Sequence, residues 1–255
     1  MDYIATAYSD VGIKKATNQD SLSLQIADTE YGKVTLAVLC DGMGGLAKGE
    51  LASATLIRRF SDWFSNEFPQ MLYQSFDEQQ LKNVWENMIF DINRKLSEYS
   101  AQNHLTMGTT VVALLVVNNN YYIISVGDSR VYLLSDNIYQ MTKDQTFVQR
   151  EIDLGRMTPE QADVDSRRNV LLQCVGASQI IEPYFYSGTV NVNSLFLLCS
   201  DGFRHVITPA EIYNALNPMN MYSEEVMYEN ARYLVEINKN RQEEDNISVV
   251  LVKLV

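Results

Sequence analysis

Five short acidic motifs border apolar runs of the chain: Asn18-Gln19-Asp20, Leu39-Cys40-Asp41-Gly42-Met43-Gly44-Gly45, Gly127-Asp128-Ser129-Arg130, Cys199-Ser200-Asp201-Gly202 and Glu244-Asp245-Asn246. An isolated Asp-Gly pair reads most simply as a hairpin turn. Here the aspartates stand directly before or after long apolar segments, near the buried ends of strands. Carboxylates gathered in such a place repel one another and lose solvation, and they stay ionised together only beside cations. The candidate ligands are all oxygens, because the two histidines, His104 and His205, sit at no metal-ligand spacing. Carboxylates, a backbone carbonyl and water suit Mg2+ or Mn2+ rather than zinc. Two such ions about 3.5–4 Å apart can share an aspartate and hold a hydroxide for in-line attack on phosphorus.

The elements that must position these groups can be read from apolar spacing. Residues 3–8, 21–26 and 33–40 are strand-like, rich in apolar and β-forming residues between polar turns. Helices are predicted over about 48–66, with Leu56, Phe60, Trp63 and Phe64 on one stripe, and about 79–99, where Leu81, Val84, Trp85, Met88, Ile92, Leu96 and Tyr99 recur at three- and four-residue steps. Strands follow at 109–117, 121–126, 131–134, 181–186 and 194–199, with Asn118, Asn119 and Asn120 as turn formers. Residues 142–178 are more polar and read as a mobile, partly helical insertion. Helices over about 209–216 and 223–237 precede a last strand at 246–254. This order lacks the strand–helix alternation of a parallel α/β sheet, so an antiparallel sandwich covered by helices is expected.

Composition narrows the function further. The 255 residues carry 32 acidic and 20 basic side chains, a net charge of -12, which argues against a nucleic-acid binder that needs a basic face. Cys40, Cys174 and Cys199 form neither a disulfide framework nor a zinc site. No stretch reads as a signal peptide or membrane span, so a cytoplasmic setting is expected. Gly42-x-Gly44-x-x-Ala47 with Asp62 about 20 residues on loosely matches a dinucleotide fingerprint, but Asp62 falls inside a predicted helix rather than at the end of a second parallel strand. A P-loop is absent, and no cysteine has the arginine six residues on that cysteine-based phosphate chemistry needs.

SDVGIKKATNQD (9–20), CDGMGG (40–45), MGTT (107–110), GDSR (127–130), SDG (200–202) and EDNISVV (244–250), in this order, resemble the metal-dependent protein serine/threonine phosphatases of type 2C in their compact bacterial form. The likeness runs from Ser9 to Val250, and residues 142–178 resemble the family's flap. It implies an α+β fold, a four-layer αββα sandwich of two antiparallel sheets flanked by helices, with a dinuclear metal site at one end and one catalytic domain over 1–255. It further implies two Mn2+ or Mg2+ ions bridged by Asp41, with the Gly42 carbonyl on one, Asp201 and Asp245 on the other, and Asp20 acting through water. Asp128 with Asp201 would make a weaker third metal site, and Lys15 would hold the substrate phosphate.

The implied activity is hydrolysis of phosphoserine and phosphothreonine in proteins by metal-activated water, without a covalent intermediate. The partners implied are a serine/threonine kinase and its substrates, with no nucleic acid and no membrane, and the chain is expected to act as a monomer. A silent metal- and phosphopeptide-binding pseudophosphatase is the alternative. Two positions depart from the family pattern. Lys15 replaces the usual arginine, keeping its charge but losing the two-pronged contact, and Gln19 replaces a common glutamate. Trp63 and Trp85 are expected in the core, Cys40 and Cys199 as buried fillers, Arg130 in a structural role, and His205 exposed or capping.

Overall fold

The computed structural model describes residues 2–30, 32–43, 48–74 and 76–255. Its strands and helices follow one another as β1 (Tyr3–Asp10), β2 (Ser21–Thr29), β3 (Gly32–Cys40), β4 (Gly42–Met43), α1 (Gly49–Asn66), α2 (Phe68–Tyr73), α3 (Glu78–Asn103), β5 (Gly108–Thr109), β6 (Val111–Val117), β7 (Asn120–Val126), β8 (Arg130–Leu134) and β9 (Ile138–Gln140). Then come α4 (Phe147–Asp153), α5 (Pro159–Val164), β10 (Tyr184–Thr189), β11 (Leu195–Cys199), α6 (Asp201–Arg204), α7 (Pro209–Ala215), α8 (Glu224–Asn240) and β12 (Ile247–Leu254).

Two antiparallel sheets form, in the orders β1-β12-β11-β8-β9 and β10-β7-β6-β3-β2, with β4 and β5 as a small separate pair. Successive residues of a strand face opposite sides of its sheet, and here both sides are dry. Along β3, Val34, Leu36 and Val38 join α1 and α3 in one apolar cluster, while Ala37 and Leu39 meet Phe196, Leu198, Val250 and Val252 of the other sheet in a second. Leu195, Leu197, Val249 and Leu251 form a third cluster with Met227, Ala231, Leu234 and Val235 of α8. Helices, sheet, sheet, helices: the expected four layers are present, and burial on both faces is why β6 reads as an unbroken apolar run.

The helices rest on local chemistry as well as on their apolar stripes. Asp77 caps α3 by accepting from the Gln80 amide at 2.7 Å, and His104 ends it in the left-handed conformation at φ 52°. Trp63 and Trp85 are fully buried, edge to face with centroids 5.5 Å apart, and fill the space between α1 and α3. Residues 142–178 do contain two short helices, α4 and α5. The strand expected from residue 181 begins only at Tyr184, because Pro183 has no N–H to enter the ladder and Ile181 packs into the helix-side cluster instead.

Candidate active site

The register of the two sheets brings the acidic motifs to one end. Ser21 pairs with Cys40, so Asp20 before β2 and Asp41 after β3 are neighbours. In the other sheet Cys199 pairs with both Arg130 and Val249, so Asp201 after β11, Asp128 before β8 and Asp245 before β12 meet at the corresponding edge. Asp10 pairs with Ile247, which brings the loop carrying Lys15 to the same end. Five carboxylates from five strand ends and one lysine are thus gathered at one end of the sandwich.

Backbone contacts lock this end. The Asp41 N–H donates to Thr110 Oγ1 at 2.9 Å, and the Asp41 carbonyl accepts from the Thr110 N–H at 2.9 Å and from Thr109 Oγ1 at 3.0 Å. Thr109 and Thr110 therefore fix the aspartate's backbone, the packing role their place at a strand start suggests. Asn246 ties three segments together: its Oδ1 accepts from the Gln19 N–H at 2.9 Å, and its Nδ2 donates to the Val11 carbonyl at 2.9 Å and the Thr17 carbonyl at 3.2 Å. Gly42 must be glycine, since a Cβ there would stand 2.4 Å from the Gly49 carbonyl oxygen and 2.5 Å from that of Gln19.

The carboxylates act on one another. Burial, then the charges of Asp20, Asp201, Asp128 and Asp245, push Asp41 well above the usual carboxylate range. Asp41 as a whole residue is half-buried. Asp20 is pushed up to about 7 by burial and by Asp201 and Asp245. The Ser200 and Ser248 hydroxyls lie close enough to ease its charge, yet neither Asp20 oxygen makes a hydrogen bond, and Asp201 Oδ1 is equally unpartnered. Buried acceptors are rarely left so. Burial and Asp201 raise Asp128 to about 7 against the lowering pull of Arg204. Lys15 Nζ stands 2.9 Å from Asp245 Oδ1, and Asp245, Asp41 and Asp201 raise its pKa although partial burial opposes them.

Behind the pocket lie groups that spacing alone did not single out. Arg204 donates to the Asp128 carbonyl at 3.0 Å and sits 3.3 Å from Asp128 Oδ2 and 3.4 Å from Asp144 Oδ2. Arg130 makes the two-pronged contact with Asp144, at 2.8 Å on each oxygen, in the structural role expected of it. His205 is the C-cap of α6, its N–H donating to the Asp201 carbonyl at 3.1 Å, but its side chain is not exposed. Its ring lies between Asp201, at 3.3 Å, and Glu243, at 3.4 Å, and Glu243 accepts the Glu244 and Asp245 amides. Burial lowers the His205 pKa, but these carboxylates outweigh it and leave it raised. His104 is exposed at the end of α3. Cys40 and Cys199 are buried free thiols, as expected of fillers.

As placed, among the described residues, no three His, Cys, Asp or Glu side chains converge closely enough to hold an ion by themselves. The donor set nevertheless fits a hard cation. It consists of carboxylates, a carbonyl-bearing glycine and buried oxygens without partners, all on antiparallel strand ends. The dinucleotide reading does not fit: β4 pairs antiparallel with β5, Asp62 is exposed within α1, and residues 44–47 of that pattern, with the last two glycines of CDGMGG, lie outside the described residues.

An αββα sandwich with an acidic pocket at one end is the architecture of metal-dependent phosphatases, and comparison with known proteins agrees. Residues 13–246 match the family model described as protein phosphatase 2C, and the chain belongs to that family. It is 32% identical over 255 residues, 98% of its length, to the serine/threonine protein phosphatase PstP of Mycobacterium tuberculosis, and spans 44% of that protein. The serine/threonine phosphatase of S. agalactiae superposes with a TM-score of 0.85 at 25% identity, covering all of both chains. The catalytic domain of PstP in complex with two manganese ions superposes with a TM-score of 0.78 at 30% identity, over 99% of this chain and 98% of that one.

Proposed function

We propose that the protein is a metal-dependent phosphatase that hydrolyses phosphoserine and phosphothreonine in proteins. The observation that carries this is the convergence of Asp20, Asp41, Asp128, Asp201 and Asp245 on one buried pocket with acceptor oxygens left unpartnered. Family membership and the two manganese ions of the PstP catalytic domain support the same reading. Asp41, the Gly42 carbonyl, Asp201 and Asp245 would hold two ions, Mn2+ or Mg2+, with Asp20 acting through water. When bound, such a pair supplies an acidified water for attack on phosphorus and neutralises the phosphoryl oxygens.

The remaining work falls to this chain's own residues. Lys15, exposed at the lip and within ionic reach of Asp245, supplies positive charge to the non-bridging oxygens of a phosphate entering the pocket. Thr109 and Thr110 keep Asp41 in place through its backbone, and Asn246 holds the Lys15 loop against the strand that follows Asp245. Residues 142–178 serve as the flap of a single catalytic domain spanning 1–255. The reading includes a cytoplasmic monomer acting on proteins phosphorylated by a serine/threonine kinase, and the three free cysteines suit a reducing compartment. No helix among the described residues is long and apolar enough to cross a membrane.

Hydrolysis of para-nitrophenyl phosphate and of a phosphothreonine peptide tests the proposal. Manganese should switch it on, EDTA should switch it off, and vanadate should leave it unchanged. Asp41→Asn should drop turnover by at least two orders of magnitude, on the order of what loss of metal-ion catalysis costs. Metal-dependent peptide binding without turnover in the wild type would instead establish a pseudophosphatase.

A further inference from the structure

The third-ion site implied by the family resemblance needs Asp128 free to coordinate, and here Asp128 is already engaged. Arg204 lies directly behind the pocket with its side chain 13% exposed, against 7% for Asp128 and 7% for Asp144. One nitrogen of its guanidinium serves the Asp128 carbonyl, the Asp128 carboxylate and the Asp144 carboxylate together. Asp144 is in turn held by both prongs of Arg130, whose remaining nitrogen donates to the Tyr132 hydroxyl at 2.7 Å. Arg130, Asp144, Arg204 and Asp128 thus form a row in which two guanidinium groups alternate with two carboxyl groups. Asp201, the other ligand expected for a third ion, also has the His205 ring against it.

An arginine does not titrate in a folded protein, so its charge cannot be withdrawn to make room for a divalent ion. A buried cation placed beside Arg204 would face like charge in a medium that screens poorly.

We propose that Arg204 takes the place of the third divalent ion, holding Asp128 with a built-in cation so that the protein uses only the two ions bridged by Asp41. The inference rests on the two-ion reading of the pocket and concerns the charges beside it. Arg204 is a positioning residue: it acts through Asp128 and touches no substrate.

The test counts manganese bound to the intact protein by equilibrium dialysis carried into the millimolar range, with the electron paramagnetic resonance of free Mn2+ as the second measure. Because an acidic surface also gathers ions weakly, the reading is the difference made by Asp128→Asn. Wild type and Asp128→Asn should bind equal numbers. In the charge-balanced double variant Arg204→Met/Asp144→Asn, an additional ion should appear and vanish again when Asp128→Asn is added. Loss of an ion on Asp128→Asn alone overturns the proposal, as does a folded double variant that gains none. Should the double variant not fold by near-ultraviolet circular dichroism, the comparison of wild type with Asp128→Asn decides by itself. The two-ion reading fails on a separate result, an Asp41→Asn protein that binds as much manganese as wild type.

Discussion

Removing the metal should leave a protein whose stability falls as pH rises, and Asp20 sets the scale. Its carboxyl is buried, accepts no hydrogen bond and is pushed from 3.8 to about 7. At 1.36 kcal/mol per pK unit, that rise of about three units is worth on the order of 4 kcal/mol. The sign follows from proton counts. Between 3.8 and about 7 the folded chain still holds a proton that the unfolded chain has released. This contribution is therefore fully present below the unfolded pKa and is lost as pH rises through the folded one. Asp128, raised to about 7, and His205, also raised, push in the same direction. Asp165 and Glu211, both lowered to about 2 by Arg167 and Arg241, act oppositely but below this window. The EDTA-treated protein should therefore have a lower urea midpoint at about pH 8 than at about pH 5, and Asp20→Asn should flatten that slope while raising the midpoint at pH 8. Against a total stability of about 5–15 kcal/mol the change is easily read. Manganese should restore the wild type at pH 8 and help Asp20→Asn less. A metal-free wild type as stable at pH 8 as at pH 5, with Asp20→Asn no different, would refute the electrostatic account of the pocket.

The remaining predictions concern single positions. Lys15→Ala should raise KM for a phosphopeptide by roughly tenfold, the scale of one charge-assisted contact, with a smaller effect on kcat; an unchanged KM would remove Lys15 from phosphate binding. Gly42→Ala should lower manganese affinity measured by calorimetry, because its Cβ would collide with two carbonyl oxygens and shift the backbone beside Asp41; wild-type affinity would contradict that. Trp85→Ala should cost about 3–5 kcal/mol in urea unfolding, since it removes a fully buried ring packed on Trp63 and Phe60.

Long periodic segments were legible from residue spacing, and short elements were not. The seven apolar stripe residues from Leu81 to Tyr99 announce α3, and the run from Val111 to Val117 announces β6. The helices α2 and α6 and the strands β4, β5 and β9 are too short to show a period, and tertiary contact decides them: Gly42 pairs with Thr109 across the whole α1–α3 excursion. The same limit governed the site. Each aspartate stood out beside its strand because a charge abutting an apolar run is a local anomaly. Asp144, by contrast, lies in an unremarkable polar stretch and Glu243 among other acids, and their partners Arg204 and His205 come from distant parts of the chain. The neighbours of Asp201, only three and four positions further along the chain, carried a clue: an arginine and a histidine directly after an acidic strand end are candidates to balance it.

The location of the pocket follows from how antiparallel sheets are closed. In each sheet, a strand that ends on an aspartate must be flanked by strands that begin there, so acids after β3 and β11 and acids before β2, β8 and β12 cannot avoid one another. Such a pocket opposes folding, and the three apolar clusters behind it supply what offsets that cost. Within it the charges fall into two groups. Asp128 and Asp144 are in direct contact with Arg204 and Arg130, while among the described residues Asp245 and Asp201 have ion pairs with the exposed Lys15 and the His205 ring, and Asp20 and Asp41 have none. On the proposed reading, the group without a fixed counter-charge would draw cations from solution, and the same accounting of charge would limit how many ions the site takes.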